Sequence, residues 1–454
     1  MNKVIQSRVY WGIFACYSMI LAAVPFFYGG TSPALIPYLS ATILCASGVC
    51  LLTSYLKTRR IRLPLAPVTL MALLLGYGWF MVINAAGVFD TGFWEVMPTV
   101  QIFPSLPGSI DSSTSHAVMF RLSAMALVML AVMQLARKPR YLIGLMQAIA
   151  ASAALICLLG LIQRAAGATD IYWYDRDILM GKYFYGTFRY HANAGAFINL
   201  TWPLIAAFFL SAFPERSKSL KQKLLFQFWG LALLVSSISL WIHGSRGATG
   251  IILLILPLWC WLNRTRLRFL KHLSGKVWMT IAGVFVSIIL ALSITILGMT
   301  TERIWSITKP SQSVEMRQNA YQAALPMIPD AGASGFGPGT FKWMFPSYGG
   351  GVTPELRGFW RYLHQDYLQT LIEWGYLGSL LWLVFFGLSL LQLIRLLRLP
   401  RGQLSGEYRL ILRAILVGLL TAALHSSFDF PMQIFAIQLM VFIYLGSLWG
   451  IRAR

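Results

Sequence analysis

Three segments carry arginine or histidine in settings where those side chains can do chemistry. His243-Gly-Ser-Arg246-Gly sets a guanidinium fork among glycines, whose bare backbone lets an anionic group approach closely. Its plain alternative is an arginine snorkelling to a membrane interface beside a chain reversal. Arg317 opens Arg317-Gln-Asn-Ala-Tyr-Gln-Ala-Ala-Leu-Pro-Met-Ile-Pro329, whose apolar spacing predicts a short helix ending at the prolines. Here the plain role is an ion pair with Glu315 or another nearby carboxylate. His364-Gln-Asp-Tyr-Leu-Gln-Thr-Leu-Ile-Glu-Trp-Gly375 puts an imidazole just ahead of a helix. A lone histidine is usually structural, yet an imidazole can take a proton near neutral pH, which neutral side chains cannot. Asp366 followed by Gln369 resembles a capping box, which makes Asp366 a helix cap rather than a catalytic acid.

Weaker candidates surround these three. Arg189 and His191, in Gly186-Thr-Phe-Arg-Tyr-His-Ala-Asn193, precede an apolar stretch and are placed to line the same cavity. Arg303, at the end of another such stretch, reads first as an interfacial anchor. His425-Ser-Ser-Phe-Asp429-Phe-Pro-Met-Gln433 reads as shaping a turn, and Gly335-Phe-Gly-Pro-Gly339 as tight turns closing a loop. Asp175-Arg-Asp177 has the spacing that some sugar-nucleotide enzymes use for a metal, but no nucleotide cradle accompanies it, so it carries little weight. Asn199-Leu-Thr201 is a glycosylation sequon only in form, because it lies inside an apolar stretch.

The elements that position these residues are membrane helices. Of 454 residues, 57% are apolar and 11% charged, more oil and less charge than a soluble core needs. Twelve stretches reach the roughly 20 apolar residues that a spanning helix requires: 9–27, 32–56, 63–87, 117–136, 141–163, 194–213, 225–242, 248–263, 277–299, 367–394, 409–428 and 432–450. With the N-terminus inside and alternating sides, the inner segments hold 25 bases and two acids, and the rest of the chain holds 12 bases and 13 acids. The net charge of +22 therefore records orientation, with both termini cytoplasmic, rather than a nucleic-acid surface. The apolar run from Val9 is long enough to span and is read as a retained helix, not a cleaved signal. Cys16, Cys45, Cys50, Cys157 and Cys260 all lie in apolar runs, without disulfide or zinc spacing. No P-loop or dinucleotide fingerprint is present. Inner connections are short, so the expected working face is the outer one, where segments 89–116, 167–193 and especially 301–366 have room for structure.

The order and spacing of these pieces resembles the O-antigen ligase and O-antigen polymerase superfamily of bacterial integral-membrane glycosyltransferases. The resemblance rests on Gly186-Thr-Phe with Asn193, Ser245-Arg-Gly, Arg317 through Pro329, Gly335-Phe-Gly, Phe345-Pro-Ser-Tyr348, His364 through Gln369 with Glu373 and Gly375, and His425 with Asp429 and Gln433. It implies an all-α membrane fold of about 12 helices, GT-C-like, with short helices in the large periplasmic loop. It divides the chain into helices 1–5 over 1–185, a ligase-like core over 186–433 and a last helix with its tail over 434–454. It further implies transfer of a glycan from an undecaprenyl diphosphate carrier to an acceptor hydroxyl on the periplasmic face of the inner membrane, with no cofactor or metal. His364, Arg317 and Arg246 carry over as catalytic residues. Arg189, His191 and Arg303 are candidate substrate contacts, and Trp343, Phe359 and Trp360 are candidates for stacking on sugar faces. The acceptor expected first is lipid A-core. Exopolysaccharide or O-antigen polymerisation and protein O-glycosylation share the donor chemistry. A glycolipid flippase is the non-enzyme alternative, disfavoured because no repeated halves are visible.

Overall fold

The computed structural model describes residues 3–90, 92–93, 95–173, 183–213, 219–268, 312–349, 356, 360–400 and 402–452. Helices dominate: α1 (Lys3–Ala23), α2 (Ile36–Thr58), α3 (Leu65–Ile83), α4 (Ser112–Leu135), α5 (Pro139–Ala165), α6 (His191–Ala212), α7 (Leu220–Ile242) and α8 (Arg246–Asn263). After them come the short α9 (Gln312–Ala324), α10 (Met327–Ala331) and α11 (Phe341–Gly349), then α12 (Asp366–Arg398), α13 (Gly406–His425) and α14 (Phe435–Gly450). Among the described residues, α1 to α8, α12 and α13 are the ten helices long and apolar enough to cross a membrane, and α14 is a shorter apolar helix. The expected helix over 277–299 lies outside the described residues, as do Asp175, Asp177, Arg303 and Phe359.

Burial follows composition. α14 is apolar on every side and buried almost throughout, as a helix without a polar face must be. It packs against α4, while α6, buried along most of its length, packs against α13 and α7. These central helices are wrapped by α1, α2, α3 and α7, whose outer apolar faces stay exposed where lipid would lie. A second, smaller core sits apart from the bundle, where Ala320, Ala323 and Ala324 of α9 meet Phe341 and Phe345 of α11 and Leu368 and Ile372 of α12. The segment from Arg317 to Pro329 does form a helix that stops before Pro326, because a proline cannot continue the hydrogen-bond ladder.

Two local features differ from the sequence expectation. α4 begins at Ser112, five residues ahead of the apolar run, because Asp111 caps it by accepting from Ser113 N and Thr114 N at 3.1 and 3.2 Å. Before it stands a hairpin, β1 (Gly87–Asp90) with β2 (Glu95–Pro98), antiparallel with Gly87 opposite Pro98 and Asp90 opposite Glu95. The Asp90 carboxylate takes Gly92 N and Phe93 N at 2.7 and 3.2 Å and so fixes the turn.

The Gly335-Phe-Gly-Pro-Gly339 turns have a specific job. α12 breaks at Gly375, which has φ +61° and ψ −171°. A Cβ on Gly335 would fall 2.5 Å from Gly375 N, so two bare backbones meet there. Phe336 N and Gly337 N then donate to Ile372 O and Glu373 O at 3.0 and 2.9 Å, stitching the loop along the first turns of α12.

Candidate functional site

Asp429 is the meeting point of the best candidates. It follows the last turn of α13, and its own backbone N donates to His425 O at 3.0 Å, which keeps the turn tight. His364 Nδ1 lies 3.1 Å from Asp429 Oδ1, His425 Nε2 lies 3.8 Å from Oδ2, and an Arg317 terminal nitrogen lies 3.9 Å from Oδ2. The carboxylate is 3% exposed, whereas Arg317 and His364 are 21% and 24% exposed, so both side chains reach outward from a buried carboxylate. Burial alone would raise the Asp429 pKa. Hydrogen bonds to His364 and His425, then the charges of His364 and Arg317, outweigh it and hold the carboxyl below the usual carboxylate range.

Each partner is independently positioned. Arg317 donates to Phe428 O at 3.0 Å and to the Tyr190 hydroxyl at 3.2 Å, using two of its five N–H groups. His364 sits in the left-handed region at φ +60°, where histidine is tolerated better than most side chains. Tyr321, one turn beyond Arg317 on α9, donates to His364 O at 2.7 Å and ties the two candidate residues together. The imidazole stands edge-on to Phe430 at 4.6 Å and to Trp360 at 6.1 Å between ring centroids. Beside an ionised carboxylate, Nδ1 carries the proton, and Nε2 is left as a proton acceptor.

The Asp366 expectation needs correcting. Gln365 is the cap of α12, with its side chain accepting from Leu368 N at 2.7 Å. Asp366 is the first helical residue, and its carboxylate instead takes the Ser426 hydroxyl at 3.0 Å, Met432 N at 2.9 Å and Gln433 Nε2 at 3.4 Å. It locks the 426–433 loop to the start of α12, which keeps His364 and Asp429 in register.

The remaining candidates distribute unevenly. Arg246 is exposed on the first turn of α8 and makes no hydrogen bond or ion pair among the described residues. Its neighbour Gly247 packs against Phe428, where a Cβ would come 2.6 Å from the ring, so Arg246 stands one residue from the Asp429 loop. His191 stacks on Tyr183 and lies against Tyr190, within electrostatic reach of Asp429 and Arg317. Arg189 lies over the Tyr28 ring at 5.1 Å. Trp360 is brought to His364. Trp343 is held elsewhere, donating to Asp111 Oδ2 at 3.0 Å and Thr114 Oγ1 at 3.1 Å while stacking on Phe89 at 4.0 Å. Asn199, the discarded sequon, is fully buried and donates to Ala248 O at 2.8 Å.

Behind the site, His243 is wholly buried, accepts Ser245 N at Nδ1 over 2.9 Å and touches the Gly195 position on α6. Burial first, then His191, His425 and Arg164, bring its pKa down to about 3, so it stays neutral and serves the α7–α8 turn that presents Arg246. Two further residues escaped the sequence reading. Tyr190 is a direct partner of Arg317, and Arg121, buried in α4, donates to Gln433 O at 3.1 Å. The signal for Arg121 was a lone arginine inside an apolar run, a costly placement that needs a partner. Among the described residues, no group of three or more His, Cys, Asp or Glu side chains could hold a metal ion.

Residues 231–383, about a third of the chain, match the O-antigen ligase family. This segment is similar to the O-antigen ligase family. The match supports the resemblance to the O-antigen ligase and polymerase superfamily and indicates O-antigen ligase-like glycosyltransferase activity. Together with ten spanning-length helices it describes a multi-pass membrane protein. The ligase segment contains Arg246, Arg317, His364 and Glu373 and ends before Asp429, while Tyr190 precedes it, so the cluster draws on chain outside the match. No curated protein matches the chain.

Proposed function

We propose that the chain transfers a glycan from undecaprenyl diphosphate to an acceptor hydroxyl at the periplasmic face of the bacterial inner membrane, with lipid A-core as the acceptor. The ligase-like core of this reading is 186–433. The observation that carries it is the 3.1 Å contact of His364 Nδ1 with buried Asp429, on a carboxylate that also faces Arg317. In the proposed step the acceptor oxygen attacks the anomeric carbon, its proton passes to His364 Nε2, and the sugar–phosphate bond breaks with its electron pair leaving on the diphosphate. Direct displacement inverts the anomeric centre. No metal or nucleotide takes part.

Arg317 and Arg246 are assigned to the diphosphate. Charge grows on those oxygens as the bond breaks, and donors fixed beforehand accelerate the reaction beyond simple binding. A charge-assisted contact of this kind is worth about 1.5–3 kcal/mol net. Arg189, His191, Arg303 and Trp360 are secondary contacts to donor or acceptor, and Trp343, expected among them, is engaged with Asp111, Thr114 and Phe89. Asp429 is the positioning group: it fixes the imidazole tautomer and steadies the imidazolium that forms.

A deletion strain read on a lipopolysaccharide gel tests the reading. Ligation is supported by loss of all O-antigen from lipid A-core with accumulation of carrier-linked polymer. Core bearing a single repeat assigns polymerisation instead, and an unchanged pattern removes lipopolysaccharide as the product.

A further inference from the structure

The other end of the bundle holds a cavity that the transfer reaction does not use. α4 runs from Ser112, beside the loop, to Leu135, and α14 runs from Phe435 to Gly450, so the basic connections lie about 25–35 Å from the Asp429 cluster at 1.5 Å per residue. There, between the ends of α1, α2, α4 and α5, a cavity of about 190 Å³ is lined by Lys57, Arg60, Arg62, Arg137 and Lys138. Its floor is neutral: the Tyr10 hydroxyl bonds Ser54 Oγ at 3.2 Å, and Tyr141 is fully buried.

The cations are held in place without a carboxylate. Lys57 Nζ lies 3.9 Å over the Tyr10 ring, Arg137 donates to Arg62 O at 3.0 Å, and Arg62 N donates to Gln134 at 3.5 Å. Arg140, just outside, donates to the Tyr141 hydroxyl at 2.7 Å. Among the described residues no Asp or Glu lines the cavity, and Glu407, at the start of α13, is the one acid at this end. Partial burial, then Arg452 and Arg62, hold the Arg137 guanidinium below its ordinary range, as expected where like charges converge without a counter-ion. Positive charge spread over cytoplasmic loops requires no such convergence.

We propose that this cavity binds a phosphate-bearing anion, the headgroup of an anionic phospholipid. Lipid is favoured over soluble phosphate because Tyr55, Leu56 and Ile61, on the segments that carry Lys57 and Arg62, are exposed and apolar, which continues the site onto the surface where acyl chains run. The site joins the ends of α1, α2, α4 and α5 and is separate from the transfer site.

The test uses the purified full chain in a neutral detergent, with lipid retention read by native mass spectrometry. The probes are phosphatidylglycerol, phosphatidylcholine of the same acyl chains, and inorganic phosphate as competitor. Phosphatidylglycerol is expected to bind one-to-one and at least about tenfold tighter than phosphatidylcholine, and Lys57→Gln/Arg62→Gln/Arg137→Gln is expected to lose about tenfold or more while melting as the parent does. Should the triple variant not fold, Arg62→Gln alone, at an exposed side chain, is expected to weaken binding by about threefold. Equal binding of the two lipids, or undiminished binding by the variants, overturns the site. Inorganic phosphate binding as tightly as phosphatidylglycerol overturns the lipid assignment.

Discussion

Asp429 and Glu373 are both buried carboxylates at the loop end of the molecule, but they gather different partners. Asp429 faces two imidazoles and a guanidinium, two of which reach solvent. Glu373 takes Gly339 N at 2.9 Å, Phe341 N at 3.4 Å and the Gln369 amide at 2.9 Å, all neutral donors. The first arrangement holds movable charge and an open proton acceptor, and the second closes a loop. Buried charge is costly in either case, so each must be compensated, and the kind of compensation separates a reactive centre from a staple. In the proposed reading, Asp429 serves chemistry and Glu373 serves the loop that carries α11.

Substitutions turn this contrast into measurements. The largest effect belongs to His364→Ala: loss of a general base costs about 10²–10⁴-fold in turnover, and a purified variant that transfers glycan at the parental rate removes His364 from the mechanism. Next comes Arg317→Lys, which keeps charge but loses the fork, with an expected fall of roughly ten- to a hundredfold in kcat/KM. Retained activity there reduces Arg317 to a structural link between Tyr190 and Phe428.

Glu373→Gln is expected to act on stability instead. Turning an amide toward Gly339 N or Phe341 N leaves a buried donor poorly matched, at a cost of about 1–3 kcal/mol. The melting temperature drops, while turnover per folded molecule stays within about twofold. A catalytic loss without a change in melting erases the distinction between the two carboxylates.

The smallest effect concerns pH. The Asp429 pKa lies below its unfolded value, so its stabilising contribution is complete above about pH 4 and is lost as pH falls through the folded value. The difference in melting temperature between parent and Asp429→Asn is therefore expected to shrink as pH falls below about pH 4. A difference that stays constant down to about pH 2 means that the cluster does not hold Asp429 in its charged form.

Much of the scaffold was legible because membrane helices announce themselves by length and oil. The start of α4 was not, since Ser112 to His116 is polar and its order comes from the Asp111 cap. The β1–β2 hairpin was hidden because its four-residue strands, Gly-Val-Phe-Asp and Glu-Val-Met-Pro, lack apolar alternation. Arg246, Arg317 and His364 could be singled out by type and setting. Asp429 was read as a turn former, because a carboxylate four residues after His425 looks local, and only the fold brings Arg317 and His364 to it. Asp366 misled for the same reason: its sequence neighbours suggest a cap, and its partners at Ser426, Met432 and Gln433 lie far along the chain.

The most direct test of the central claim is transfer by purified Asp429→Asn from a polyprenyl diphosphate-linked glycan in detergent, with Glu373→Gln as its counterpart and rates normalised to folded protein. A neutral amide keeps the size of the side chain and removes the charge that orients His364. The expected result is a loss of about a hundredfold or more for Asp429→Asn beside near-parental turnover for Glu373→Gln. Near-parental turnover by Asp429→Asn would contradict the account.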